Sequence, residues 1–267
     1  MNCTPHMSSI PPVTLAGPAT GSADLYHRHE HSLVYNSILP VAPESEHFGD
    51  NLRCAVINSQ GSGNNFSKVD IVVDFAEDEL LDIVFVTELK TTLAKAMAAK
   101  VHHRDFLSWW SARDVTQSHN DGVMVLVRVG WAKYVQKIEY WNGWLVWIDF
   151  AFPGGIKLQC IGVYASPVPQ ETQPMVTRLQ GVLTFAGALG YQVILGGDLN
   201  GVFNPSCDRA PGQLTGSPDT PLMRFLARQD LTDVFHIIHP DDHSLQSMTR
   251  IDPADPVKGS CIDYILA

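Results

Sequence analysis

The chain lacks an excess of basic residues, a cysteine framework and a signal sequence. Lys and Arg number 18 against 28 Asp and Glu in 267 residues, a net charge of −10. This excludes the strongly basic surface that drives tight, non-specific DNA binding. It leaves room for an enzyme that meets phosphate through a metal. The five cysteines (Cys3, Cys54, Cys160, Cys207, Cys261) are odd in number and show no CxxC spacing. A disulfide scaffold and a structural zinc are therefore disfavoured, and reduced thiols in an intracellular protein are expected. Cys54 and Cys160 lie on apolar segments and read as small buried hydrophobes. The first 30 residues show no basic start followed by an apolar core. The uncharged stretch 179–197 contains five glycines and two glutamines, so it reads as helix, turn and strand, not a membrane span. No internal repeat is visible.

What is present falls into two parts. Residues 1–50 carry six of the 17 prolines and five of the 11 histidines, with five acids and one base, Arg28. With little periodicity, they read as a poorly ordered leader before a domain spanning 51–267. His27, His29 and His31 alternate and read either as a weak metal site or as a solvated polar tail. From Leu52 the pattern changes. Strands are expected at 52–58, 83–88, 122–129, 145–150, 158–164, 192–198 and 261–266. Phe66, Val69, Val72, Val73, Ala76 and Leu80 recur at helical spacing. Between them and just beyond lie Asp70, Asp74, Glu77, Asp78, Glu79 and Asp82, a solvated helix face. Further helices are expected at 91–100, 172–189 and 221–229, the last capped by Asp219. Helices separating buried strands, with a β-meander in the middle, predict an α/β fold of two mixed sheets stacked face to face with helices outside.

The most informative segment is Leu195-Gly196-Gly197-Asp198-Leu199-Asn200, directly after Val193-Ile194. A buried strand runs into two glycines, then a carboxylate and a carboxamide two positions apart. In a strand such residues share a face, so Asp198 and Asn200 can project into one pocket. The glycines allow a backbone, a metal or a phosphate to come close. Hard oxygen ligands, a base and a neutral donor are what metal-assisted attack on phosphate needs. The same residues equally suit a strand followed by an Asx turn. Four more segments place a polar residue at the end of an apolar strand: Asn58 with Gly61, Glu88 after Val84-Phe85-Val86-Thr87, Tyr164 before Ala165-Ser166-Pro167, and Asp263 between Ile262 and Tyr264. Glu88 could be a surface acid, Asn58 a turn former and Tyr164 a core residue. Asp263 is the hardest to dismiss, because a carboxylate among apolar neighbours needs a partner.

In this order the set resembles the endonuclease/exonuclease/phosphatase superfamily, the deoxyribonuclease I-like fold, over about residues 52–267. Asn58-x-x-Gly61 resembles its first metal motif and Thr87-Glu88-Leu89-Lys90 its glutamate motif. Val163-Tyr164-Ala165-Ser166-Pro167 is similar to its tyrosine segment, Gly196-Gly197-Asp198-Leu199-Asn200 to GGDFN, and Cys261-Ile262-Asp263-Tyr264-Ile265-Leu266 to SRIDYIL. Asn120-Asp121-Gly122-Val123-Met124-Val125-Leu126-Val127 resembles the GVAxLV strand. The pair Asp208-Arg209 after Cys207, and Thr249-Arg250-Ile251-Asp252-Pro253, are similar to endonucleases of LINE-type retroelements.

The resemblance implies a four-layer sandwich and hydrolysis of a phosphodiester in DNA with Mg²⁺ or Mn²⁺. Glu88 and Asn58 would hold the metal. Asp198 would orient or deprotonate water, Asn200 would fix a phosphate oxygen or Asp198 itself, and Tyr164 would donate to the phosphate. Asp263 would orient a histidine carried by a Ser-Asp-His turn after the last strand. The sequence ends at Ala267 without that turn, and His236, His239 and His243 precede the strand. The expectation is therefore a domain truncated before that motif, with incomplete C-terminal strands and impaired catalysis. DNA is the expected substrate, no membrane partner is expected, and an intracellular location with the nucleus as one compartment follows. Two alternatives stay open: a catalytically inactive remnant or binding protein, and a phosphatase or phosphodiesterase acting on a lipid or small phosphate ester.

Overall fold

The computed structural model describes residues 32–37, 52–62, 66–98, 104–112, 121–204, 206–209, 220–239, 248–252 and 255–267. His27, His29, His31, Asn120, Asp219, His243 and Pro253 lie outside the described residues. In chain order the strands are β1 (Ser32–Ser37), β2 (Leu52–Asn58), β3 (Ile83–Thr87), β4 (Phe106–Ser111), β5 (Val123–Arg128), β6 (Val135–Trp141), β7 (Leu145–Ala151), β8 (Lys157–Tyr164), β9 (Gln192–Asp198), β10 (Arg250–Asp252), β11 (Asp255–Ser260) and β12 (Asp263–Leu266). The helices are α1 (Ser67–Asp78), α2 (Leu93–Ala98), α3 (Val129–Ala132), α4 (Pro169–Leu189), α5 (Pro221–Leu226) and α6 (Val234–Ile238).

The strands form two mixed sheets. One has the order β2-β3-β5-β4, with β1 added at the β2 edge; the other runs β12-β9-β8-β7-β6, and β10-β11 is a separate hairpin. Each sheet holds one parallel pair. β2–β3 is linked through α1 and β8–β9 through α4, as parallel neighbours require a crossover. β6, β7 and β8 make an antiparallel meander. β6 is not among the expected strands, and β5, read beside β7 and β8, pairs in the first sheet instead.

Burial follows from strand parity. Inward residues Cys54, Val56, Ile83, Phe85, Val125 and Val127 of one sheet form a single core with Val146, Ile148, Phe150, Cys160, Ile194 and Ile265 of the other. The opposite faces take helices. α1 covers the first sheet with Val69, Val72, Val73 and Ala76. α4 and α5 cover the second with Met175, Leu179, Leu222 and Met223. This is the expected sandwich of two sheets between helices. Cys54 and Cys160 are fully buried in its centre.

Several details differ from the sequence reading. Ser32–Ser37 pairs antiparallel with β2, from Ser32 opposite Ile57 to Ser37 opposite Leu52. Six residues of the stretch read as leader are thus a strand. Leu33-Val34-Tyr35 is a β-prone triplet too short to stand out between histidines and prolines. α5 is capped by Thr220, whose side chain accepts from the Met223 amide. No helix among the described residues is long and apolar enough to cross a membrane.

Candidate active site

The glycines before Asp198 have a specific use. Gly196 faces the Phe85 ring of the other sheet, and a β-carbon there would collide with it. Gly162, its neighbour across the ladder, sits so that a β-carbon would lie 2.9 Å from methyls of Val123 and Val125. Gly197 has φ 149, and a β-carbon would strike the Val163 carbonyl. It is the opposing sheet and a neighbouring strand that come close here.

Register then assembles the site. Asp198 ends β9 and lies directly opposite Tyr164 of β8 on one side and Asp263 of β12 on the other. Three strands therefore bring a tyrosine and two carboxylates into one row. Asn58, at the end of β2 in the other sheet, donates from Nδ2 to Asp198 Oδ2 at 3.3 Å and accepts the Gln60 amide at Oδ1. Asn200 has φ 43, beyond the end of β9. It therefore reaches Asp198 by a turn and not by strand parity: its amide donates to Asp198 Oδ1 at 2.9 Å. Its side chain donates to the Ala165 carbonyl at 2.7 Å and hydrogen-bonds Tyr164. The Asx turn and the pocket are one arrangement.

Glu88 follows β3 with φ 52, a strained position held from two sides. The Gly61 amide donates to the Glu88 carbonyl at 2.7 Å and Ser62 to that of Leu89 at 2.8 Å. From the other side, the Leu89 and Lys90 amides donate to the Gly122 and Asp121 carbonyls. Glu88 Oε2 stands 3.2 Å from Lys90 Nζ.

The electrostatics are those of crowded negative charge. Asp198, fully buried, is pushed well above the ordinary carboxylate range by burial, then by Asp263 and Glu88, while the Asn200 amide and Arg250 pull the other way. Asp263 is raised to about 7 by burial, with Glu88 adding and Thr249 opposing. Tyr164 is likewise raised by burial and by Glu88, Asp198 and Asp121. Asp263 is 1% exposed, yet its Oδ1 accepts no hydrogen bond among the described residues. Buried hard oxygens with an unsatisfied atom and mutual repulsion form a donor set suited to a hard divalent cation. The residues present fit that group.

All six sequence-selected residues thus fall at one rim of the sandwich. Four others belong with them and were not selected as site residues. Asp121, 3% exposed, precedes β5 at the same rim. A carboxylate directly before a buried strand was the available signal. Lys90 and Arg250 supply positive charge. Thr249 Oγ1 accepts the amides of Ile262 and Asp263, at 2.9 and 3.2 Å, fixing the start of β12. That partner lies 14 residues away, through a loop that no periodicity marks.

No protein-family model matches the chain, and no curated protein sequence does. Solved structures do. The AP endonuclease of Leishmania major is similar over 86% of this chain and 84% of its own, at 12% identity and a TM-score of 0.64. A 3′ phosphatase from Neisseria bound to a product DNA hairpin is similar over 80% and 85%, at 17% identity and 0.61. The endonuclease domain of TRAS1, a telomere-specific non-LTR retrotransposon, is similar over 81% and 84%, at 12% identity and 0.51. The chain has the deoxyribonuclease I-like fold.

Proposed function

We propose that this chain is a divalent-cation-dependent phosphodiester hydrolase acting on DNA, of the retroelement endonuclease type. The observation that carries the reading is the row Tyr164–Asp198–Asp263, with Asn58 hydrogen-bonded to Asp198 from the facing sheet. Glu88, with Asn58, would hold Mg²⁺ or Mn²⁺. When bound, that ion supplies charge for a phosphate oxygen and a departing oxyanion. Asp198, fixed through both oxygens by Asn58 and Asn200, orients the attacking water and takes its proton. Tyr164, whose phenol is kept protonated by its surroundings, donates to the phosphate. Asn200 holds the turn and offers its amide to Tyr164 or a phosphate oxygen.

The retroelement assignment is supported by the Asp208-Arg209 pair. Asp208 accepts the Tyr264 hydroxyl at 2.9 Å and so ties the loop after β9 to β12. Asp263 Oδ1 accepts no hydrogen bond among the described residues, and an acid–base group positioned on it would contribute roughly 10²–10⁴-fold in rate.

Purified chain should nick supercoiled plasmid when Mn²⁺ or Mg²⁺ is present, stop on chelation, and lose at least ~10²-fold with Asp198→Ala. A phosphoinositide and a small phosphodiester run in parallel should remain intact. Turnover of those esters without nicking would establish the phosphatase alternative. Silence on every substrate, with a folded protein, would establish the inactive remnant.

A further inference from the structure

β1 and β12 are outer strands of the two sheets on the same side, and they lie against each other. β12 begins at the site rim, with Asp263 beside Asp198. β1 begins there too. It runs antiparallel to β2, and its first residue, Ser32, pairs with Ile57, one step before Asn58. Asn58 shows what a side chain at this level can do. From the end of β2 it crosses between the sheets and donates to Asp198 of β9 at 3.3 Å. One strand further out in each sheet, the same relation joins the rung ahead of Ser32 to Asp263.

Asp263 is where a donor is wanted. It is 1% exposed, and its Oδ1 accepts no hydrogen bond among the described residues. A buried carboxylate oxygen left this way is costly. Charged donors described elsewhere have their own partners: Lys90 stands on Glu88, and His236 on Asp233 and Asp208. The residue bonded to Ser32 is a histidine, His31. Across a trans peptide its Cα is about 3.8 Å from that of Ser32.

We propose that the β1–β2 register continues by this one step, opposite Asn58, and that His31 is a catalytic residue of the hydrolase. Opposite residues of an antiparallel pair share a face. His31 therefore takes the face that Asn58 turns to the second sheet. One imidazole N–H donates to Asp263 Oδ1, which orients the ring, and the other ring nitrogen, also protonated, donates to a phosphate oxygen. His31 makes and breaks no covalent bond. Asp198 still takes the proton of water, and the imidazolium sets positive charge where the phosphate gains negative charge. The role rests on the hydrolase reading above; the place rests on the strand register. The chain thus provides, ahead of its first strand, the imidazole expected after its last.

The test compares the full chain with His31→Ala, with the double variant His27→Ala/His29→Ala and with Asp263→Asn. In plasmid nicking with Mn²⁺, His31→Ala should lose at least ~10²-fold and regain part of the rate when free imidazole is added. The double variant should keep the parent rate. Combining His31→Ala with Asp263→Asn should cost no more than the larger single loss. A second readout needs no activity. In chelator, the His31 C2–H proton, identified by its absence from His31→Ala, should titrate about one pH unit higher in the parent than in Asp263→Asn. The signals of His27 and His29 should not move. If the parent nicks and Asp198→Ala does not, but His31→Ala matches the parent, the hydrolase reading stands and the role of His31 falls. If the parent does not nick, the reading falls and the catalytic role with it, while the titration still reports the His31–Asp263 pair. A His31 signal that titrates alike in the parent and Asp263→Asn overturns that pair whatever the nicking shows.

Discussion

At the scale of single residues, the telling feature is a carboxylate that the fold keeps near neutrality. An unfolded Asp titrates at 3.8, and folded Asp263 at about 7. Between those values the folded chain holds a proton that the unfolded chain has lost. Stability from this group is thus full below about 3.8 and is lost as pH rises through 7. With ~1.4 kcal/mol per pKa unit, the loss at pH 8 is of the order of a few kcal/mol. Asp263→Asn, measured by thermal melts in chelator, should melt above the parent at pH 8. The gap should narrow on acidification and close near pH 4. A variant less stable than the parent at pH 8 would show that the carboxylate is well accommodated without a cation.

At the scale of elements, the two sheets meet where side chains are absent. Gly162 and Gly196 leave room for Phe85, Val123 and Val125, and the site row lies just beyond. Gly196→Ala should cost about 1–3 kcal/mol through overpacking. Gly181→Ala, on the exposed middle of α4 with open space around it, should instead gain roughly 0.5–1 kcal/mol from helix propensity. Urea unfolding of both variants checks the contrast. If the two shift alike, the close approach of the sheets is not what selects glycine at 196. The element scale also shows what sequence can and cannot disclose. β2, β3, β5, β7, β8 and β9 were legible because burial on both faces makes them continuous apolar runs. β6 was not: Val-Gln-Lys-Ile-Glu-Tyr-Trp is an edge strand, half-buried at best, with no such run. β4, also an edge, keeps one face partly in solvent. Identities of the site residues were legible as polar interruptions of apolar strands. Their meeting was not, since Asp198 and Asp263 are joined by ladder register between segments far apart along the chain.

At the scale of the whole molecule, the chain carries net charge −10 and gathers three of its carboxylates, Glu88, Asp198 and Asp263, at one rim. A divalent cation bound there relieves repulsion that is present only when these groups are ionised. Adding Mn²⁺ or Mg²⁺ should therefore raise the melting temperature by several degrees at pH 8 and by much less at pH 5. Chelator should reverse the effect. Equal shifts at the two pH values would place the bound cation away from Asp198 and Asp263.

The strand Ser32–Ser37 has a practical corollary. Composition invites a cut near residue 51, yet six backbone partners of β2 lie upstream of it. A fragment trimmed there would bare a ladder of amides and carbonyls along a flat apolar strand, an adhesive seam open to any passing copy. Anyone shortening this chain for expression should set the scissors before residue 32.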